Sequence, residues 1–152
     1  MLDPITYTIE VPCDQKQAFE VFVDDFGSWW PLAKRSTSMI SGHQAKSVSL
    51  DPKPGGKIME IGHDGTEHLW GTVRTYDPYT VFSMDFHMGL PATNPSSLVE
   101  VRFELIDDAH TRVTLTQSNW EAYGDMAEMM RGGYGSSWNM IFGDCYKAAC
   151  GG

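Results

Sequence analysis

Residues 121–152 read EAYGDMAEMMRGGYGSSWNMIFGDCYKAACGG, a stretch with a helical apolar period at the end of the chain. From Tyr134 onward, Tyr134, Trp138, Ile141, Cys145 and Ala148 recur every three or four residues, with Phe142 beside them. That spacing places them on one face of a helix. Ser136, Asn139, Asp144 and Lys147 fall opposite, so the predicted helix has a polar back and an apolar face in need of a partner layer. Arg131-Gly132-Gly133, together with Gly124 and Gly135, interrupts the stretch, and paired glycines kink or break helices. The reading is a lid-like part over 121–131, hinged ahead of a gripping helix over 134–149. Two helices with a connection between them is the alternative.

The partner layer is legible upstream. Ile5, Tyr7, Ile9 and Val11 alternate with polar residues, as a half-buried strand requires, and Pro12 ends the run. Asp14 caps a helix, with Gln17 placed for a capping box. That helix carries Ala18, Phe19, Phe22 and Val23 and stops near Gly27. A short helical turn holds Phe26, Trp29 and Trp30, and residues 32–45 form a loop. Val48 and Leu50 then lead through Asp-Pro-Lys-Pro-Gly-Gly into a strand over 57–61. Asp64-Gly65 is a hairpin signal, followed by a strand over 66–76, a turn at Asp77-Pro78 and a strand over 80–87. After the loop 88–97, Val99, Val101, Phe103 and Leu105 share one side of a strand, and Val113 and Leu115 point inward from the last. Consecutive hairpins predict an antiparallel sheet, and helices set apart from strands predict an α+β fold in a single domain over 1–152.

Composition removes several classes. Hydrophobic residues make up 41% of the chain, which suits a globular domain. No apolar run approaches the roughly 20 residues that span a bilayer, and the start, MLDPITYTIEVP, has no signal-peptide pattern. The expected compartment is cytoplasmic. Cys13, Cys145 and Cys150 are odd in number and lack CxxC spacing, in keeping with a reducing environment. Cys145 reads as a small packed hydrophobe and Cys150 as part of a fraying tail. Acidic residues outnumber basic ones by 20 to 11, for a net charge of −9. Lys34, Arg35, Lys46, Lys53 and Lys57 are too thin a set for a phosphate footprint, so neither nucleic acid nor an anionic membrane is expected as a partner.

The order of elements and several local strings resemble the activator-of-heat-shock-ATPase-homologue-like family, within the START-like (SRPBCC, helix-grip) superfamily. The strings are VPCDQKQAFEVFVDDFGSWWPL, LDPKPGGKIMEI, GTVRTYDP, TRVTLTQSNW and YGSSWNMIF, spread over nearly the whole chain. The last is similar to the family's Tyr…Gly-Trp pattern, with Ser137 in place of the glycine before Trp138. The resemblance implies a curved antiparallel sheet of about six or seven strands wrapped around the long C-terminal helix, with two short helices after the first strand. It also implies an internal cavity that takes an apolar small molecule. The superfamily includes partner-binding domains and enzymes, and many relatives pair, so a protein partner or a homodimer is allowed.

The residues expected to face the cavity are Phe82, Met84, Phe86, Val101, Phe103, Leu115, Tyr134, Trp138 and Ile141, with Trp30 from the aromatic knot Trp29-Trp30-Pro31. They read equally as a pocket wall or as a filled core, since aromatic and methionine stripes also build plain cores. The expected ligand-binding set is Trp30, Phe82, Met84, Phe86, Phe103, Tyr134, Trp138 and Ile141. On the strand over 66–76, Leu69, Gly71 and Val73 are the favoured inner set, with His68, Trp70, Thr72, Arg74 and Tyr76 outside. His63, Asp64, Glu67 and His68 could be metal ligands but sit at a hairpin tip, where polar residues serve the turn. Pro54-Gly55-Gly56-Lys57 precedes a strand, so it is a turn and not a phosphate loop. Glu60 and His87 are the best acid–base candidates, with Glu60 inward if Ile58 is. Without a paired nucleophile they make no mechanism. The reading is therefore a protein that holds an apolar or amphipathic small molecule without catalysis and without a cofactor. A chaperone-regulator-like interaction module is the second reading, and a hydrolase or cyclase the third.

Overall fold

The computed structural model describes residues 3–31, 42–43, 45–87 and 97–151. Most of the expected loops at 32–45 and 88–97 therefore lie outside the described residues.

Seven strands form one antiparallel sheet in the order β1-β7-β6-β5-β4-β3-β2. They are β1 (Ile5–Val11), β2 (Ser47–Leu50), β3 (Lys57–Ile61), β4 (Glu67–Asp77), β5 (Val81–Phe86), β6 (Ser97–Asp107) and β7 (His110–Ser118). The short helices α1 (Gln15–Val23) and α2 (Phe26–Trp29) fill the connection from β1 to β2. Asp14 caps α1 as expected, its carboxylate accepting the Gln17 N–H at 2.8 Å. The sheet curls around the last helix, which is the helix-grip arrangement.

Bulges produce part of the curl, because an extra residue on one strand bends it and adds twist. They also re-aim side chains. Between β3 and β4 the register slips at Ile58/Met59, and Trp70 is the unpaired residue on β4. A second slip lies between Val73 and Thr75. The inner face of β4 thus changes parity along its length: Trp70 and Val73 are both buried, while Arg74 is exposed and ion-paired to Asp85. The expectation that Trp70 faces outward is corrected here, because strict alternation cannot cross a bulge. A third slip lies between Leu105 and Asp107. Leu105 is 53% exposed although its parity matches Val99, Val101 and Phe103, so the buried face of β6 ends at Phe103.

The C-terminal segment departs from its expected layout. A 3₁₀ segment (Trp120–Met126) contains Gly124 at φ 56°, and the chain turns there into α3 (Ala127–Met140). Gly132 and Gly133 lie inside α3, so the break expected at 131–133 falls instead at Gly124. Each interior glycine costs a helix about 1 kcal/mol, which tertiary anchoring overrides. Two anchors are visible: the Tyr7 hydroxyl donates to the Gly135 carbonyl at 2.7 Å, and the Arg131 Nε–H donates to the Asp3 carbonyl at 2.8 Å.

A π-helical stretch (Ile141–Tyr146) then joins α3 to a last turn, α4 (Lys147–Ala149). Its wider turn adds a residue and shifts the buried stripe by one position. Past Ile141 the buried residues are Phe142, Tyr146 and Cys150, while Cys145 is only half-buried and Ala148 is exposed. The Phe142 and Tyr146 rings stack at 5.4 Å, and the Tyr146 hydroxyl donates to the Ala18 carbonyl on α1 at 2.7 Å. No helix among the described residues is long and apolar enough to cross a membrane.

Candidate functional site

The eight residues expected to line a cavity occupy the layer between sheet and helix. Phe82, Met84 and Phe86 project from β5 and are fully buried; Phe103, Trp138 and Ile141 are buried almost as deeply. Trp30, at the end of α2, is 4% exposed and meets Trp70 at 5.1 Å, Trp138 at 6.0 Å and Phe86 at 6.1 Å between ring centroids. Phe86 also meets Tyr134 and Trp138. Phe82 and Phe103 belong to a neighbouring cluster, bridged by Phe22. Offset and edge-on contacts of this kind add to the burial of the rings themselves.

Tyr134 is the member of the set that reaches the outside. It lines an apolar groove of roughly 270 Å³ with Met129, Met130, Gly133 and Ser137, all on α3. Met129 is 65% exposed at the groove rim. The lid-like reading of 121–131 did not single out Met130 as a groove residue. The signal was there: Met126, Met130, Tyr134 and Trp138 are spaced by four, continuing the apolar stripe toward the N-terminal end of α3.

Behind Tyr134 runs a buried polar chain. The Trp138 Nε1–H donates to Gln117 Oε1 at 2.7 Å, and Gln117 Nε2 donates to Ser97 Oγ at 2.8 Å. Ser97 Oγ donates to the Phe86 carbonyl at 2.8 Å. The Tyr123 hydroxyl donates to that same carbonyl at 2.7 Å and accepts the Ser97 N–H at 3.2 Å. The Tyr134 hydroxyl has its pKa pushed far above the ordinary phenol value by burial, with Tyr123 as a lesser cause. It therefore stays neutral and can serve as a donor or acceptor but not as a base. Among the described residues, Trp120 Nε1 is a buried side-chain polar atom without a hydrogen-bond partner; its ring lies 6.0 Å from that of Tyr134 and 6.2 Å from that of Tyr123.

Glu60 and Ile58 both point inward and are fully buried. Glu60 Oε1 accepts the Trp70 Nε1–H at 2.9 Å, and the Trp70 carbonyl accepts the backbone N–H of His87 at 2.8 Å. Trp70 thus connects the two acid–base candidates, and Glu60 serves as an acceptor in the aromatic layer. His63, Asp64 and Glu67 are exposed at the β3–β4 turn, where Asp64 accepts the Thr66 N–H at 3.0 Å. Among the described residues no group of three potential ligands is arranged to hold a metal ion.

Burial also raises the pKa of Tyr146 and of the Cys150 thiol, the latter to about 12. Unfolded tyrosine ionises near pH 10 and cysteine near about 8.5, so these groups stabilise the fold fully below those values. Their contribution is lost as pH rises, because the unfolded chain releases protons that the folded chain retains. Stability should be flat from pH 6 to about 8 and then fall, by about 1.4 kcal/mol per pH unit for each buried tyrosine above pH ~10. Urea midpoints measured between pH 7 and 11 check this, with a smaller alkaline loss expected for Tyr146→Phe.

A family profile described as Activator of Hsp90 ATPase homolog 1-like protein matches residues 13–142. Among solved structures, an anthrahydroquino-γ-pyrone synthase, Txn09, is 25% identical, with 85% of this chain and 84% of that chain covered at a TM-score of 0.60. CalC, a self-sacrificing resistance protein from Micromonospora echinospora, is 24% identical over 97% of this chain and 93% of its own, at 0.69. An HSP90 activator from Plasmodium falciparum is 21% identical over 92% and 96%, at 0.55. The last two show the shared fold alone. No curated protein matches the sequence at a significant level.

Proposed function

The chain belongs to the Activator of Hsp90 ATPase homolog 1-like family, and on that premise we propose that it binds an apolar or amphipathic small molecule through the α3 groove. The observation that carries this reading is the groove itself, roughly 270 Å³ and walled by Met129, Met130 and Tyr134. Its volume lies near the lower end for small-molecule sites, and flexible thioethers adapt to varied ligand shapes. The ligand would press on Tyr134 and, through it, on the wall formed by Phe86, Trp138 and Trp30, with Phe82, Met84, Phe103 and Ile141 deeper. The Tyr134 ring in the groove wall favours a flat ring system as the ligand. The similarity to a synthase named for a polycyclic pyrone points the same way. Binding without turnover is the reading, in the cytoplasm, where cysteines stay reduced.

A second reading is a protein-interaction module. It is favoured by exposed Met129 at the groove rim and by exposed Met126, which could receive an apolar side chain from a partner, and by the likeness in fold to an HSP90 activator. The edge strand β1 offers a homodimer the same opportunity.

Titration with the neutral dye Nile red tests the first reading. We expect saturable binding at one site, weakened about tenfold or more by Gly133→Leu, a change of about 1.4 kcal/mol or above. A Cβ at Gly133 meets nothing within 4 Å, so the leucine should enter the groove without disturbing the fold. Helix propensity predicts equal or higher stability for the variant. Failure of the dye to saturate, or unchanged affinity in Gly133→Leu, would count against the groove.

A further inference from the structure

We propose that Cys13 and Cys150 form an oxidation site, at which a peroxide converts the two thiols into one intramolecular disulfide tying the end of the long helix to the β1–α1 corner.

The two residues are far apart in sequence and adjacent in space. Cys13 is 6% exposed and Cys150 is 3% exposed, and each thiol lies close enough to perturb the other's ionisation. Neighbouring backbone shows the same approach, because a Cβ on Gly151 would touch Pro12 Cγ at 4.0 Å. Both partners sit on anchored structure. The Cys13 carbonyl accepts the Thr111 hydroxyl at 2.9 Å, and its N–H donates to the Val11 carbonyl at 2.9 Å. On the other side, the Cys150 N–H reaches the Lys147 carbonyl at 3.1 Å, and Tyr146 is held on α1 through the Ala18 carbonyl. A tail that frayed, as the sequence suggested, would not keep a thiol in this position. Cys145 lies apart from this corner: it is half-buried and its thiol contacts Met140 Sδ at 3.8 Å.

The chemistry balances without a cofactor. One thiolate attacks the peroxide O–O bond, giving a sulfenic acid and releasing the alcohol, or water from hydrogen peroxide. The second thiolate then attacks the sulfenic sulfur, the S–S bond forms, and the hydroxyl leaves as water with the proton of the second thiol. Two thiols are oxidised and one peroxide is reduced. Burial keeps both thiols protonated, so the conversion is slow at neutral pH and depends on opening of the three-residue turn Lys147–Ala149. The product closes a loop over nearly the entire chain, where the entropic effect of a cross-link is near its largest.

The experiment treats the purified full chain with hydrogen peroxide and counts thiols by alkylation under denaturing conditions. Three thiols are expected before oxidation and one after it, the survivor being Cys145. A non-reducing digest should recover the Cys13 peptide joined to the Cys150 peptide. The midpoint of thermal unfolding should rise by about 5 °C or more and return on reduction. Cys145→Ser should behave as the parent, whereas Cys13→Ser or Cys150→Ser should show neither the link nor the rise. Retention of three thiols, a dimer linked through Cys145, sulfinic acid at either site, or a linked product with an unchanged midpoint would each overturn the proposal. The peptide map needs no variant, so a folding defect in one of the serine variants would leave the test intact.

Discussion

Trp138→Ala is expected to lower the free energy of unfolding by about 4–6 kcal/mol. The ring is 1% exposed and touches Trp30, Phe86 and Tyr134, so its removal leaves a large void in a layer that cannot collapse without moving the sheet. Loss of a buried tryptophan alone costs about 3–5 kcal/mol. The indole N–H is also the partner of Gln117 Oε1, which would be left as a buried acceptor without its donor. Trp138→Phe separates the two contributions, since it keeps most of the ring and loses only the N–H. Its expected cost is about 1–3 kcal/mol. Urea unfolding followed by circular dichroism measures both. A loss below about 2 kcal/mol for the alanine variant would mean that the space around Trp138 is already loose, as in an open cavity.

Gly71→Ala should be as damaging, for a reason that has nothing to do with helix or turn propensity. Gly71 sits in β4 beside the bulge at Trp70, and any Cβ there would collide with the Asp85 carbonyl oxygen in β5. That oxygen is backbone in a strand paired on both sides, so it cannot move without breaking the ladder to β4 or β6. Overpacking commonly costs about 1–3 kcal/mol, and a clash with fixed backbone belongs above that range. We expect a loss of about 3 kcal/mol or more, or little soluble protein. Gly132→Ala serves as the control, because nothing lies within 4 Å of its Cβ and the change should stabilise α3 slightly. A well-folded Gly71→Ala of parent stability would show that the bulge can reset its register.

The sheet and its order of strands were readable because alternation and turn residues are local signals. Ile5 to Val11, Asp14 with Gln17, and Asp64-Gly65 all found their expected elements. What local reasoning could not see was any feature that shifts a period. The bulge at Trp70 put that side chain inside, and Leu105, next to another slip, lies outside. The π-helical stretch moved the buried stripe from Cys145 to Tyr146. Glycines misled in the opposite way: Gly132-Gly133 suggested a break by composition, yet Gly124 is where the backbone leaves the helical region. The site was half legible. Strand parity was enough to place Phe82, Met84 and Phe86 inward, and the same parity on β7 would have flagged Gln117 beside Val113 and Leu115 as a buried polar residue. The bond from Trp138 to Gln117 crosses from the last strand to the long helix, and the approach of Cys13 to Cys150 depends on closure of the whole chain; local periodicity reports neither.

That closure bears on how the protein is made. The bonds Tyr7–Gly135, Asp3–Arg131 and Ala18–Tyr146 each join residues 128 positions apart, and β1 has β7 as its neighbour in the sheet. While the chain is being synthesised, β1 has no strand to pair with until β7 emerges, and α1 lacks the contact of Tyr146 until the last helix follows. At usual ribosome speeds that interval is on the order of ten seconds. The unpaired β1 spends it open to holding chaperones and to neighbouring nascent chains. Yield in the cell should therefore depend on elongation rate and chaperone supply more steeply than the equilibrium stability of the finished domain would suggest.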